Sequence, residues 1–323
     1  MKKVKKYKTK KRLIAYFDIL GYKEMVGSKY FNENLLINRI KYLTEIVYDT
    51  KVMTTKWTKW RTYSFSDNYA IVVKYTEDGF VREFENLMFI LRDIQCEFLS
   101  LYGIMIRGAI THGAVFSGKN FIYGEGLIKA YEIENSLAIY PRIIIDGDLI
   151  DECLMYVKSN SNKKITLNGI TYNPNEINEY NMFQMFPRFI LFDTDKISKK
   201  EVNKLSKVRK DEDLISLCQD FDKEYYIDFF QHFIYLRRNS KDAEHYIKNF
   251  VLNIYSNISL FGKDNHVLKK YLWICYKANI FFNKFDHINL FFKSEIKSTC
   301  KLDLDNINID DNILMMLIKS LPL

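Results

Sequence analysis

The chain has 323 residues, 48% of them hydrophobic, which is enough for a full core in one large domain or two small ones. Its formal charge of +8 does not mark a nucleic-acid binder, because Lys2, Lys3, Lys5, Lys6, Lys8, Lys10, Lys11 and Arg12 supply eight positive charges at the very start and leave the body close to neutral. No apolar run approaches the roughly 18 residues a membrane span needs, and the apolar stretch after the lysines is too short for a signal peptide; a cytoplasmic protein with no transmembrane segment and no stable nucleic-acid partner is expected.

Residues 1–11 read as a solvated basic tail, with docking on phosphate or anionic lipid as the alternative. Leu13 to Phe17 is a buried strand, and Leu36, Ile40, Leu43 and Val47 then recur at helical spacing. Arg61 to Phe65 and Ala70 to Tyr75 are β-rich runs that meet at Ser66-Asp67-Asn68, a tight hairpin with Asp67 at its tip. Phe84, Leu87, Met88, Leu91, Ile94 and Phe98 give a second helix ending near Gly103, followed by the strand Ile104 to Ile110. Gly113 and Gly118 flank a short extended piece, Gly124 and Gly126 open a helix carrying Leu127, Ala130, Tyr131, Leu137 and Ala138, and Pro141 leads into the strand Arg142 to Ile145.

This βαββαβ order predicts an α+β domain over residues 12–150, an antiparallel sheet with helices on one face, as in polymerase palms and nucleotidyl cyclases. Residues 151–199, rich in Asn, Lys and Ser, read as an irregular or hairpin insertion. The stripes Ile247, Phe250, Val251, Ile254, Ile258 and Leu268, Tyr271, Leu272, Cys275 predict a mostly α-helical part over 200–323.

Chemistry concentrates at two aspartates. Ala15-Tyr16-Phe17-Asp18-Ile19-Leu20-Gly21-Tyr22 ends an apolar strand in a carboxylate and a glycine turn, and Ser64-Phe65-Ser66-Asp67 supplies a second. Together they suggest a metal and nucleotide site, although Asp18 as a helix cap and Asp67 as a plain turn residue are the bland alternatives. Other signals fail. Five scattered cysteines and five scattered histidines give no metal spacing. Asp220-Phe221-Asp222 opens like an EF-hand but lacks its glycine and terminal glutamate, and Trp57 and Trp60 among basic residues read as hairpin or dimer contacts ahead of a nucleic-acid patch.

Phe17-Asp18-Ile19-Leu20-Gly21-Tyr22 resembles the first metal motif of class III nucleotidyl cyclases, Phe-x-Asp-Ile-x-Gly-Phe, and Tyr63-Ser64-Phe65-Ser66-Asp67 stands where their second metal motif falls. Ile106-Arg107-Gly108-Ala109-Ile110-Thr111-His112-Gly113 is similar to their Arg-x-Gly-Ile-x-x-Gly strand, and Tyr123-Gly124-Glu125-Gly126 with Ala130 and Glu134 resembles the helix that follows. The resemblance covers roughly residues 12 to 146. It implies that Asp18 and Asp67, with the Ile19 carbonyl, hold two Mg²⁺ or Mn²⁺ ions, while amides around Leu20, Gly21 and Tyr22 cradle phosphates.

Tyr63 and Phe121 stand at or near the base-reading positions. This pattern looks like the pyrimidine cyclases of bacterial Pycsar anti-phage systems and implies UTP, or else CTP, as substrate, with Tyr63 as an ordinary cross-strand aromatic the alternative. Ile128 and Glu132 replace the family's transition-state Asn and Arg, so the catalytic cation must come from Arg107, the first choice, or from Lys119, Lys129 or Arg142. A purely structural salt bridge from Arg107 to Glu134 or another carboxylate is equally open. The resemblance further implies a homodimer with active sites at the interface and a separate receptor protein that reads the cyclic product.

Overall fold

The computed structural model describes residues 7–26, 32–49, 59–160, 165–167, 170–172, 189–191, 215–233, 243–261 and 265–283. Strand β1 (Lys10–Ile19) leads through the single turn α1 (Tyr22–Met25) to α2 (Glu33–Asp49). The hairpin β2 (Lys59–Phe65) and β3 (Asn68–Lys74) follows, then α3 (Phe80–Tyr102), β4 (Ile106–Ser117), β5 (Ile122–Tyr123), α4 (Glu125–Leu137) and β6 (Ile143–Ile145). Next come α5 (Gly147–Asn160), the small hairpin β7 (Ile165–Leu167) and β8 (Ile170–Tyr172), and strands β9 (Phe189–Leu191), β10 (Ile215–Gln219) and β11 (Tyr225–Ile227). Helices α6 (Ala243–Phe261) and α7 (Asn265–Asn283) close the described chain.

The main sheet runs β2-β3-β1-β4-β6-β11-β10-β9, with β5 paired to β4. Its pairs are antiparallel except β4 with β6 and β10 with β9. With β1 between β4 and β3, and β2 outside β3, the first four strands form the split βαββαβ arrangement of an α+β, cyclase palm-like fold, as the element order predicts. Among the described residues no helix is long and apolar enough to cross a membrane.

Three features differ from the sequence reading. Helices cover both faces of the sheet and not one, because β1 buries residues on both sides, Leu13, Ala15 and Phe17 with α3 and Ile14 with α4. Lys10 and Lys11 belong to β1, not to a tail, because the long β4 offers them Val115 and Ala114 as partners. The sheet also continues beyond residue 150. Ile143, Ile144 and Ile145 of β6 are buried, and a buried edge of unpaired backbone groups needs another strand; β11 supplies it, pairing Tyr225 with Ile145. Strands β10 and β11 therefore precede the helices in the region expected to be helical, and α5 fills the start of the expected insertion. Residues 161–164, 168–169, 173–188 and 192–199 of that insertion, residues 200–214, 234–242, 262–264 and 284–323 of the part expected to be helical, residues 1–6 of the tail and Trp57 lie outside the described residues.

The sheet has two differently packed faces. On one, the α3 stripe Phe84, Leu87, Met88, Leu91, Ile94 and Phe98 is buried against Leu13, Ala15, Phe17, Ile71 and Val73, the alternate residues of β1 and β3. On the other, α4 lies directly on the strands. A Cβ on Gly113 would sit 2.6 Å from the Gly126 Cα, so this pair of glycines is what lets helix and sheet meet. Asn253 and Asn257 of α6 donate their side-chain amides to the Ser100 and Gly103 carbonyls at 2.6 and 2.9 Å, capping the end of α3. Leu20 and Met105 join the cluster of Phe250, Ile254 and Tyr271, so the C-terminal helix pair is anchored beside the end of β1 that carries Asp18.

Candidate active site

Register gathers the site. Asp18 pairs with Asn68 of β3 on one side and Arg107 of β4 on the other, and directly paired residues project from the same face of a sheet. That face is the one α4 covers, and it brings Tyr16, two residues earlier on β1, alongside. Asp67 arrives through a two-residue turn in which Ser66 takes φ 63°. The Ile19 amide then donates to the Asp67 carbonyl at 3.2 Å and ties the turn to the end of β1. Asp18 caps no helix: α1 begins after Gly21, whose φ of 79° suits the turn, and no side chain caps it.

Arg107 grips Asp18 with both arms, Nε to Oδ1 at 3.0 Å and Nη2 to Oδ2 at 3.1 Å, a bidentate pair. The same Nη2 lies 2.8 Å from Glu134 Oε1 on α4, an ion contact without hydrogen-bond alignment. Both alternatives for Arg107's carboxylate partner are thus realised at once. Asn68 donates to Asp67 Oδ1 at 3.1 Å and accepts from the Tyr16 hydroxyl at 2.6 Å.

Electrostatics link the three carboxylates. Burial, with Asp67 adding to it, holds the Asp18 carboxyl above its ordinary range despite Arg107. Burial and the nearby Asp18 and Asp67 push Glu134 up to about 7, against the pull of Arg107. Tyr16 is pushed up to about 12 by burial and by Glu134 and Asp18. One guanidinium pairs with Asp18 and Glu134, and with Asp67 nearby the three carboxylates leave two formal negative charges when all are ionised. The next cation is Lys270 of α7, whose charge acts to lower the Asp18 pKa.

The remaining sequence-nominated residues divide. The Leu20 amide donates to the Met105 carbonyl at 2.9 Å, so it is not among the amides a phosphate could use; Gly21 and Tyr22 stand at the single turn of α1. Tyr63 is buried with Ile14 and Val72, and its hydroxyl donates to the Gly118 carbonyl at 2.7 Å. Gly118 opens the turn that carries Lys119 and Phe121, both exposed, with the Phe121 ring 5.3 Å from that of Phe116.

Lys129 is held by Asp146 at 2.6 Å and by Asp148. Asp146 also accepts from Thr111, four residues along β4 from Arg107 and hence about 13 Å away at the rise of a strand. Lys129 therefore sits apart from Asp18. Arg142 is fully buried and pairs with Asp220 at 2.7 Å and with Asp222, so Asp220-Phe221-Asp222 serves an internal ion cluster. Trp60 is buried and donates to Glu83 at 3.0 Å, which removes it from any nucleic-acid surface.

In kind, the donors at this end of the sheet fit a hard divalent cation: two carboxylates and the Ile19 carbonyl. Among the described residues no group of three or more His, Cys, Asp or Glu stands in ligand geometry. Both Asp18 oxygens already accept from Arg107, so a cation at Asp18 would compete with the guanidinium for that carboxylate. Sequence reasoning missed Tyr16, Asn68 and Lys270. The first two were findable, Tyr16 by strand alternation from Asp18 and Asn68 by its place in the hairpin; nothing local to Lys270 signals that α7 reaches the site.

No family model matches the chain, and no curated protein matches it. Among solved structures it is similar to the catalytic core of a rhodopsin-guanylyl cyclase with converted specificity, in complex with ATPαS, at 14% identity and a TM-score of 0.33, over 49% of this chain and 85% of that one.

Proposed function

We propose that the chain is a metal-dependent nucleotidyl cyclase that converts a pyrimidine nucleoside triphosphate, UTP first, to its 3′,5′-cyclic monophosphate and pyrophosphate. The observation that carries this reading is the meeting of Asp18 and Asp67, distant in sequence, at one end of the sheet, where Asp18 pairs with Asn68 and the Ile19 amide donates to the Asp67 carbonyl at 3.2 Å. Surplus negative charge at a partly open strand end is an arrangement a divalent cation would satisfy. Asp18, Asp67 and the Ile19 carbonyl would hold two Mg²⁺ or Mn²⁺ ions, which when bound would acidify the ribose 3′-hydroxyl and neutralise the triphosphate.

Base choice would fall to the β4–β5 turn. Tyr63, with its hydroxyl engaged by Gly118, acts through the placement of that turn, and Phe121 at its tip offers a ring for a base to stack on. Exposed Phe65, Phe121, Tyr123, Ile128 and Tyr131 support a homodimer formed across this side of the molecule. Lys119, exposed at the same turn, is a cation a second copy could offer to the phosphates. By the motif resemblance, the product would act in anti-phage defence through a separate receptor protein.

A second reading, nucleotide binding without turnover, is favoured by the grip of Arg107 on Asp18 and by Ile128 and Glu132 in place of Asn and Arg. A palm-type oligonucleotide synthase is the third. Incubation with each of the four ribonucleoside triphosphates and Mn²⁺, followed by mass spectrometry, separates them: cyclic UMP is expected, linear or cyclic oligonucleotides would shift the reading to a synthase, and recovery of every triphosphate unchanged would leave binding alone.

A further inference from the structure

Arg107 holds the same two oxygens that a divalent cation would need, and it cannot yield them by losing its proton, because a guanidinium stays charged at any working pH. Where the cation needs the lone pairs that Arg107 occupies, the guanidinium yields them by moving. A half-buried arginine stripped of its only carboxylate would be costly, and here that cost is avoided, since Nη2 already lies 2.8 Å from Glu134 while its other arm reaches the Ala138 carbonyl at 3.4 Å. Glu134 lies in the C-terminal half of α4 and Ala138 directly follows its last residue, so a small rotation toward that helix end exchanges one carboxylate for the other without exposing a charge.

We propose that Arg107 is a positioning residue that competes with the divalent cation for Asp18, and that Glu134 is the site to which it withdraws when the cation binds. This rests on the cation reading given above. Arg107 then sets the affinity of the strand end for metal: it keeps Asp18 paired in the absence of substrate and releases it when a cation arrives with its triphosphate. The role differs from that of a transition-state cation, which would face the phosphates and not the metal ligand.

The two ends of this exchange give opposite signs. Arg107→Gln removes the competitor and should tighten Mn²⁺ binding about tenfold, the factor that follows when one moderately strong ion pair no longer has to be broken. Glu134→Gln, isosteric and unable to receive the guanidinium as a carboxylate does, should hold Arg107 on Asp18 and weaken Mn²⁺ binding roughly threefold or more.

The test is a Mn²⁺ titration followed by the loss of the free-ion electron paramagnetic resonance signal, with circular dichroism confirming that each variant is folded. Wild type, Arg107→Gln, Arg107→Lys, Glu134→Gln and Asp67→Asn are compared. Arg107→Lys keeps the charge but loses the bidentate grip, and should tighten binding by less than Arg107→Gln. Equal or weaker binding in Arg107→Gln, or stronger binding in Glu134→Gln, overturns the exchange while leaving the cation site itself intact. Mn²⁺ binding that is absent from wild type and both Arg107 variants, or unaffected by Asp67→Asn, overturns the cation reading and the exchange with it.

Discussion

Two arginine clusters stand on adjacent strands of this sheet and are built to opposite specifications. Around Arg142, Asp220 takes Nη1 at 2.7 Å, the Trp273 indole at 2.9 Å and Lys277 at 2.9 Å, while Asp222 takes the other arm. Two cations balance two carboxylates, and Arg142 and Asp220 are almost wholly buried. Around Arg107, one guanidinium pairs with Asp18 and Glu134 while Asp67 adds a third carboxylate nearby, and both Arg107 and Asp18 keep some exposure. Charge balance around a buried Arg142–Asp220 pair marks a structural joint, here fastening α7 to the sheet. Charge surplus beside solvent is what the proposed cation reading rests on. Helix α7 serves both, since Lys270, Trp273 and Lys277 recur at helical spacing, Lys277 on the balanced cluster and Lys270 beside the unbalanced one.

The contrast can be broken first at its structural side. Asp220→Ala leaves Arg142 and Lys277 without their shared carboxylate and should destabilise the protein by about 3–5 kcal/mol, read by urea unfolding, because uncompensated buried charge is the costly outcome of breaking such a pair. A change under about 1 kcal/mol would mean that Asp222 can take over and that the joint is not balanced as described.

A smaller effect is expected at Glu134. Its carboxyl, raised from the ordinary 4.5 to about 7 chiefly by burial, keeps in the folded state a proton that the unfolded chain releases above pH 4.5. Its contribution to stability is therefore complete at low pH and lost as pH rises through about 7. The stability of wild type relative to Glu134→Gln should fall between pH 5 and pH 7.5; a difference that stays flat or grows would show that Glu134 is ionised throughout.

The smallest effect belongs to Lys270. Lys270→Met removes a charge that lowers the Asp18 pKa, and a single partly screened charge is worth about 1 kcal/mol or less. Mn²⁺ affinity should rise by no more than about threefold. A fall would assign Lys270 to a different role, such as ordering α7 against Leu20.

Much of the cluster around Asp18 was legible in sequence, because local chemistry and strand alternation carry it. Asp18 at the end of an apolar run, Asp67 between two β-rich runs and the helical stripes of α2 and α3 each follow from a few adjacent residues, and β1, the hairpin and α3 form where those patterns predict. The cluster around Arg142 was not legible. Arg142 and Asp220 come together through β11 and α7, and the pairing that joins β11 to β6 depends on an edge that only the folded sheet creates. Arg107 is the mixed case: its bridge to Glu134 was one of the two readings open in sequence, whereas its bidentate hold on Asp18 depends on the β1–β4 register.

The central claim is that Asp67 serves chemistry while the fold is held elsewhere. Asp67→Ala, assayed for cyclic nucleotide with UTP and Mn²⁺ and melted beside wild type, tests it most directly. Loss of product by a factor of about a thousand or more, the scale of removing an essential metal ligand, with unfolding within about 1 kcal/mol of wild type is the expected result. Wild-type turnover by a folded Asp67→Ala protein would contradict the account.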